Sequence, residues 1–278
     1  MIISVASGKG GTGKTTVAVN LALSLGKAQL LDCDVEEPNA HILLKPKITE
    51  TYPVHVPMPR IYRERCDYCG KCSEFCQYHA LLVTKNVVMT FPELCHGCGG
   101  CSLVCPRGAI AEEGREVGLV RTGTANGVSL VYGELRVSEP MATPLIREVK
   151  KRLTTDRIVI IDAPPGTSCP VITAVHGSDF CLLVTEPTPF GLSNLHIMVQ
   201  VLRELCIPFG VVENFHGLGD ARIQDYFERA TIPVLLQIPF DRRIAELYSR
   251  GIPLVAEMPT WKKRFRDLME RIEELVAT

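Results

Sequence analysis

Residues 7–16 read SGKGGTGKTT, and this stretch decides the fold. Its centre, residues 8–15, fits the phosphate-binding pattern G-x-x-x-x-G-K-[ST] and lies between an apolar strand-like segment and a helix-like one, as that motif requires. Backbone N–H groups of such a loop and the positive end of the following helix attract phosphate oxygens. We therefore predict an ATP site here. Its expected phosphate contacts are Gly8, Gly10, Gly11, Thr12, Gly13, Lys14, Thr15 and Thr16.

The rest of the chain alternates strand-like and helix-like segments, except between residues 52 and 135. This alternation predicts an α/β fold with a mostly parallel, doubly wound sheet of the P-loop NTPase type. The interrupting stretch is rich in Cys, Gly and Pro, and it predicts a small α+β domain inserted into a loop of the sheet. We expect one ATPase domain built from residues 1–54 and 139–278. The inserted domain with its connecting segments is expected at 55–138.

Composition narrows the functional classes. The chain has 278 residues and a formal net charge of −1, so no global field attracts it to nucleic acid or anionic lipid. No apolar run is long enough for a membrane span, and the first residues lack the features of a signal peptide. We expect a cytoplasmic protein. The amphipathic C-terminal segment carries charges of both signs, and we expect it to pack on the sheet.

The phosphate loop contains two lysines where one is sufficient. Lys14 is expected to reach the β- and γ-phosphates, and Thr15 is expected to hold Mg²⁺. Lys9, five residues earlier, cannot easily share the phosphates that Lys14 contacts. It is therefore either an ordinary surface lysine or a residue that reaches a nucleotide in a second subunit.

Residues 9–15, KGGTGKT, resemble the deviant phosphate loop K-G-G-x-x-K-[ST] of the MinD/ParA and nitrogenase iron-protein ATPases. The resemblance implies that ATP is sandwiched in a homodimer, or in a heterodimer with a related ATPase. It also implies that Lys9 contacts the phosphates bound to the facing subunit, in the way that an arginine finger is supplied in trans.

Further residues match the same family in the same order. In LLDCDVEEPNAHI, the resemblance implies that Asp34 positions or activates the attacking water and that Asn39 helps to hold it. Asp162, at the end of IVIID, resembles the aspartate that holds Mg²⁺ through water, together with Thr15 and Asp34. The other implied positions are Gly166 beside the γ-phosphate, and Asn214 and Pro239 beside the adenine base.

Eight of the twelve cysteines form two C-x₂-C-x₂-C-x₃-C runs. This spacing is typical of bacterial-type ferredoxin modules with two [4Fe-4S] clusters, in which the fourth cysteine of each run ligates the other cluster. Zinc is the alternative, but its four-ligand sites usually use two C-x₂-C pairs and fit the tripled runs poorly. The expected ligand sets are Cys66, Cys69, Cys72 and Cys105 for one cluster, and Cys95, Cys98, Cys101 and Cys76 for the other.

The two runs form an internal repeat with one departure. Gln77 follows the fourth cysteine of the first run, where Pro106 follows that of the second, so the two cluster environments are expected to differ. Basic residues near the first run form either an ordinary charged surface or a docking patch for an acidic redox partner. They are Arg60, Arg63, Arg65 and Lys71.

Four cysteines lie outside the runs. Cys33, Cys181 and Cys206 are expected to be small core residues. Cys169 lies seven residues after Asp162, the offset at which the nitrogenase iron protein has a cluster ligand. Core packing and a metal-binding role at a dimer interface both stay open for Cys169.

The whole chain resembles a MinD-type ATPase with an inserted ferredoxin. The main prediction is an ATP-binding and hydrolysing iron–sulfur protein that gates electron transfer to a redox or metal-cluster partner. One alternative is an assembly factor for iron–sulfur or metal clusters, although no C-x₂-C pair lies outside the two runs. The other is a MinD-like positioning ATPase with structural clusters.

Overall fold

The computed structural model describes residues 1–219 and 222–277. The strands are β1 Ile2–Ala6, β2 Ala28–Asp32, β3 Lys47–Ile61, β4 Leu81–Val83, β5 Val88–Thr90, β6 Ile110–Ala125, β7 Val128–Leu135, β8 Ile158–Asp162, β9 Phe180–Thr185, β10 Phe209–His216 and β11 Val234–Pro239. The α-helices are α1 Lys14–Leu25, α2 Ala40–Leu44, α3 Lys71–Phe75, α4 Gly100–Leu103, α5 Thr143–Lys150, α6 Cys169–Val175, α7 Pro189–Glu204, α8 Arg222–Arg229, α9 Arg242–Ser249, α10 Leu254–Glu257 and α11 Pro259–Ala277.

Nine strands form one large sheet in the order β11-β10-β9-β1-β8-β2-β7-β6-β3. The seven strands from β11 to β7 are parallel, while β6 and β3 run antiparallel at one side. The interior strands β1, β2 and β9 are mostly apolar and almost entirely buried, as expected when helices cover both faces of the sheet. The predicted mostly parallel α/β sheet is confirmed.

Helices cover the sheet on both faces. On one face α1, α2 and α11 contribute to a hydrophobic cluster, and on the other α5, α6, α7 and α8 do so. The apolar side of α11 is buried through Trp261, Phe265, Leu268 and Ile272, which are 0–4% exposed. The C-terminal segment therefore packs against the core, as predicted from its helical pattern. None of the helices that the structure describes combines the length and the hydrophobicity of a membrane-spanning segment.

The strand β7 lies within residues 55–138, the stretch expected to hold the inserted domain and its connecting segments. It pairs in parallel with β2 of the large sheet, from Gln29 opposite Ser129 to Asp32 opposite Tyr132. β6 then folds back on β7 through a tight turn at Asn126 and Gly127, whose φ angles are +50° and +83°. Because both angles are positive, the turn has the twist that suits a two-residue hairpin. The large sheet thus extends into the stretch assigned to the insertion.

A two-stranded ribbon carries the cysteines away from the sheet. Residues 110–116 of β6 pair only with β3, and this ribbon ends where Ile61 lies opposite Ile110. Residues 62–109, which we call the cysteine module, fold between these two ends into α3, the β4–β5 hairpin and α4. The buried hydrophobic residues of the module are Ala80, Leu81 and Ala109.

Both outer edges of the large sheet are covered or blocked. At β11, Arg264 donates to the carbonyl of Gln237 at 2.7 Å and Arg271 donates to that of Val234 at 3.0 Å. At the other edge, β3 contains Pro53, Pro57 and Pro59, which have no backbone N–H to offer.

Candidate nucleotide site and cysteine pockets

The phosphate loop connects β1 to α1 and depends on its glycines. Gly11 and Gly13 have φ angles of +78° and +93°, which side chains of L-residues rarely adopt. A Cβ atom at Gly13 would also lie 2.5 Å from Nδ2 of Asn214, and one at Gly8 would lie 2.5 Å from the carbonyl oxygen of Asn194. The loop is therefore fixed by close contacts to β10 and α7 that only glycine permits.

A cavity of about 370 Å³ opens in front of this loop. Many of the predicted nucleotide contacts line it together: Gly10, Gly11, Gly13, Lys14, Thr15, Thr16, Asp34, Asn39, Asn214 and Pro239. The other predicted positions, all of them described, lie outside the lining: Gly8, Lys9, Thr12, Asp162 and Gly166. The chain thus assembles most of the predicted site at the carboxyl ends of parallel strands, where ligands of open α/β sheets bind.

Aromatic residues that sequence analysis did not single out complete this cavity. Phe215 and Phe240 lie with their ring centroids 6.0 Å apart, and Tyr248 joins them in the lining. Phe240 is 58% exposed, although it is large and apolar. An apolar wall of this kind suits a flat base. The usable signal was the aromatic residue directly after Pro239.

Two buried aspartates lie beneath the cavity at the ends of neighbouring strands. Asp32 accepts hydrogen bonds from the backbone N–H groups of Asp34, Asn39 and Ala40 at 3.0–3.1 Å, so it holds the loop that follows β2. Burial raises its pKa, and the nearby carboxylate of Asp162 adds to that rise. Asp32 is not among the predicted site residues. The first aspartate of the D-x-D pattern, at the end of a buried strand, was the available signal.

Asp162 has two carboxylate oxygens that are buried and have no hydrogen-bond partner among the described residues. Burial raises its pKa to about 7, while the Thr15 hydroxyl and the Lys14 ammonium oppose that rise without satisfying either oxygen. Burial also raises the pKa of Asp34 to about 6, against the pull of Lys14. Unpaired carboxylate oxygens beside a hydroxyl are the hard oxygen donors that Mg²⁺ prefers. The residues present therefore fit a magnesium site.

Two predicted nucleotide contacts are engaged inside the protein. The amide of Asn214 donates from Nδ2 to the carbonyl of Thr12 at 2.8 Å and accepts from the Phe215 N–H at 2.9 Å. Gly166 has a φ of +100° and donates its N–H to the carbonyl of Ser7 at 3.1 Å. Both residues thus lie against the phosphate loop.

Lys9 does not face the cavity. Its Nζ lies 2.5 Å from Oε1 of Glu186, just after β9, and 5.5 Å from the ring centroid of Phe190 at the start of α7. The side chains of Lys9 and Glu186 are 22% and 13% exposed. No local pattern in the sequence indicates Glu186 as the partner of Lys9, because the two residues are 177 positions apart in the chain.

The eight module cysteines line two separate pockets. Cys76, Cys95, Cys98 and Cys101 line one of about 220 Å³, bounded by Pro57, Met58 and Pro59 of the ribbon. We call it the core-proximal pocket. Cys66, Cys69, Cys72 and Cys105 line a narrower one of about 20 Å³ at the ribbon's end, beside Ile61 and Ile110. We call it the distal pocket. Each pocket therefore combines three cysteines of one run with the fourth of the other, which are the two predicted sets.

The repeat is visible in the backbone of both halves. The N–H of Ala80 donates to Sγ of Cys76 and that of Ala109 donates to Sγ of Cys105, each at 3.3 Å. Gly70 and Gly99 directly precede α3 and α4 and have φ angles of +81° and +72°. Hydrogen bonds from backbone N–H groups to thiolates are a feature that tunes iron–sulfur sites.

Equivalent positions of the repeat close the two pockets differently. At the distal pocket, Asp67 pairs with Arg107 at 2.9 Å. At the core-proximal pocket the same two repeat positions are His96 and Tyr78, whose rings stack with centroids 3.6 Å apart. The departure at Gln77 is thus accompanied by a change from an ion pair to an aromatic stack.

The thiols are near one another without forming a compact ion site. Among the described residues, no three His, Cys, Asp or Glu side chains lie close enough to hold a single metal ion. Burial raises the pKa of Cys72, with smaller effects of Cys105 and Cys66, and it raises that of Cys101 to about 11, with smaller effects of Cys95 and Cys98. Thiols around a cubane lie farther apart than the ~3.7 Å expected for tetrahedral zinc with bonds of ~2.3 Å.

Of the four cysteines outside the two runs, two are buried and two are exposed. Cys33 and Cys181 are buried core residues, as expected. Cys206 is exposed, which corrects the expectation of a core position, because it follows the end of α7 with a φ of +53° and turns outward. Cys169 is exposed at the first residue of α6.

Comparison with known proteins places the chain among nucleotide-binding proteins. Residues 3–254 match the CobQ/CobB/MinD/ParA nucleotide binding domain. Uncharacterized protein MJ0579 of Methanocaldococcus jannaschii is 31% identical, over 99% of this chain and 96% of its own. An iron-sulfur cluster carrier protein of Pyrococcus horikoshii is 25% identical, over 97% and 84%. The solved structure of the septum site-determining protein MinD with Mg-ADP, from the same organism, has a TM-score of 0.62 at 21% identity, over 99% and 96%.

Proposed function

The chain belongs to the CobQ/CobB/MinD/ParA nucleotide-binding family, and on that premise we propose that it is an ATPase that carries or assembles iron–sulfur clusters. The observation that carries this proposal is the presence of a nucleotide cavity and two four-cysteine pockets joined by one continuous sheet. A relative named as an iron–sulfur cluster carrier favours this role over ATP-gated electron transfer, the main prediction from sequence.

For the nucleotide half, we propose that Lys14 and the loop N–H groups bind the phosphates and that Thr15 and Asp162 hold Mg²⁺, with Asp34 beside them. Mg²⁺ would neutralise charge on the β- and γ-phosphates. Asp34 has a pKa raised to about 6, which suits a group that takes a proton from water near neutral pH. Asn39 lies in the same cavity lining. Lys9 would act in trans after two copies of this chain associate around ATP.

For the cysteine half, we propose that each pocket binds one [4Fe-4S] cluster. The support is the lining, since four thiols surround each pocket and come from both runs. The distal pocket is narrow, so its walls would move outward when a cluster binds. A cluster delivered to an acceptor protein is then the cargo of the ATPase cycle.

The two halves are joined by contacts that lie between them. Arg115 of the ribbon pairs with both carboxylate oxygens of Glu139, which precedes α5 and has a side chain that is 2% exposed. Lys150, at the end of α5, donates to the carbonyls of Thr173, Ala174 and His176 at 2.7–2.9 Å and so caps α6. We propose that a movement of the segment between Asp162 and α6 on ATP binding reaches the ribbon through α5.

The test is cluster transfer under anoxic conditions. Protein loaded with iron and sulfide would be mixed with an apo-enzyme that needs a [4Fe-4S] cluster, such as apo-aconitase, in the presence of ATP, ADP or no nucleotide. We expect faster activation of the acceptor with ATP, and no ATP effect for Lys14→Ala. Cys98→Ser should lower the iron content, whereas the matched change Cys206→Ser, outside the pockets, should not. If the wild-type protein activates the acceptor at the same rate with ATP, with ADP and without nucleotide, the proposal is wrong.

Electron transfer is the second candidate, and the four thiols available in each pocket favour it. A cluster with four thiolate ligands is well suited to stay bound. If iron remains with the protein while ATP changes the rate at which it reduces an electron acceptor, this candidate replaces cluster delivery.

A further inference from the structure

The Lys9 ammonium is held by its own subunit. Its contact with Oε1 of Glu186 is 2.5 Å long, and both side chains are mostly shielded from water. The ring of Phe190 lies on a further side of the ammonium at 5.5 Å, within the range of cation–π attraction. A lysine without such partners would move freely through many rotamers.

Glu186 is itself fixed by the start of α7. Its Oε1 also accepts from the Thr188 hydroxyl at 2.9 Å, and the same hydroxyl oxygen accepts from the N–H of Gly191 at 2.9 Å, capping the helix. A Cβ atom at Gly191 would lie 2.4 Å from the carbonyl oxygen of Glu186. The turn between β9 and α7 is therefore tight, and it places the Glu186 carboxylate.

The backbone of the phosphate loop is held close to the same helix. Gly8 approaches Asn194 so closely that any side chain there would collide with it, and Asn194 donates from Nδ2 to the carbonyl of Phe190 at 2.7 Å. The Ser7 hydroxyl donates to the Lys9 carbonyl at 2.6 Å. Loop and helix start thus form one unit in which Lys9 and Glu186 face each other.

We infer that Glu186 is a positioning residue that holds Lys9 in the single subunit and competes with phosphate for it. This inference rests on the proposed trans role of Lys9. A carboxylate that stayed beside the ammonium would face the negative γ-phosphate of the second subunit's ATP, and like charges at that range repel. Formation of the ATP-bound dimer therefore requires each Lys9 to leave Glu186. Because the Lys9–Glu186 ion pair must be broken first, the ATP-bound dimer is weaker than it would be if Lys9 had no partner in its own subunit.

Glu186→Gln tests the inference, because it removes the charge and keeps an oxygen that can accept from Thr188. With a non-hydrolysable ATP analogue and Mg²⁺, the dimer dissociation constant measured by analytical ultracentrifugation should fall about tenfold. Nucleotide affinity of the dilute single subunit should not change. Thermal stability without nucleotide should stay equal or fall, so association and stability would respond differently. A purely structural role would weaken both.

Three controls separate the possible failures. Glu148→Gln, which removes the ion pairs of Glu148 with Lys151 and Arg152, should leave the dissociation constant unchanged. Glu186→Asp keeps the charge and should stay closer to wild type than Glu186→Gln. Lys9→Ala should not associate. If the wild type fails to associate, or Lys9→Ala associates normally, the proposed trans role is wrong. If both behave as proposed but Glu186→Gln associates like wild type or more weakly, the role of Glu186 is wrong.

Discussion

The nucleotide site and the cysteine module are built in opposite ways. Lys14 is buried at the start of α1, and Asp32 and Asp162 are buried at the ends of β2 and β8. These strands belong to a sheet that has a large apolar cluster on each face. The module has only three buried hydrophobic residues between residues 62 and 109, and its cysteine pockets take the place of a core. The first site is made by the fold. In the second, we expect the proposed clusters to order the chain, in the way that a metal orders small metal-dependent domains.

The largest expected effect follows from withholding iron. Protein prepared with a chelator should lose protection of the amides of residues 62–109 in hydrogen–deuterium exchange, while α1 and β8 stay protected. The reason is that three small or medium apolar side chains cannot offset the ordering of that segment. Anoxic addition of iron and sulfide should restore protection. If residues 62–109 stay protected from exchange without iron, the module folds without a cluster, and the proposed difference between the two halves is wrong.

Lys14→Ala probes the other half. Lys14 is only 5% exposed, and its ammonium would make charge-assisted contacts with the phosphates. We expect ATP affinity to fall by about 100-fold or more, measured by calorimetry. Iron content per chain should not change, because Lys14 lines neither cysteine pocket. Lys9→Ala serves as the control and should keep nearly wild-type ATP affinity. A loss of iron in Lys14→Ala would show that the two sites do not form independently.

Asp162 gives the nucleotide half a specific dependence on pH. Its pKa is raised from the ordinary 3.8 to about 7, so the folded protein binds a proton more tightly than the unfolded chain. That contribution to stability is fully present below pH ~4 and is lost as the pH rises to ~7. Asp162→Asn should therefore raise the melting temperature of the nucleotide-free protein by about 5 °C at pH 8 and by almost nothing below pH 4. Equal effects at both pH values, measured by calorimetry, would contradict the burial of a charge.

The smallest effect is expected at the surface of the module. Arg107 and Asp67 are well exposed, with side chains 62% and 38% accessible. Arg107→Gln should shift the melting temperature of the cluster-bound protein by less than about 2 °C, because exposed ion pairs contribute little. The repeat-related change Tyr78→Ala removes the stack with His96 and should have a larger effect. Scanning calorimetry of both variants would show whether the Asp67–Arg107 ion pair or the Tyr78–His96 stack contributes more to the melting temperature.

Local patterns predicted the parts of this molecule that depend on local chemistry. The phosphate loop, its strand and its helix follow from glycines and a lysine at fixed spacing. The two cysteine sets follow from the ferredoxin-type spacing, in which the fourth cysteine of each run joins the other set. Contacts between residues that are far apart in the sequence were harder to predict. The Asn126-Gly127 dipeptide could have predicted the β6–β7 hairpin, but nothing nearby indicated that β7 pairs with β2. The pairing of Lys9 with Glu186 likewise depends on the tertiary fold.

The treatment of the sheet edges bears on how copies of this chain can meet. A nine-stranded sheet would ordinarily offer two rows of open backbone groups to strands of other molecules. Here Arg264 and Arg271 occupy carbonyls along β11, and three prolines interrupt the donors of β3. Growth into fibres by adding strand upon strand is disfavoured at both ends. The proposed ATP-bound dimer would then use the faces of the protein rather than the edges of its sheet.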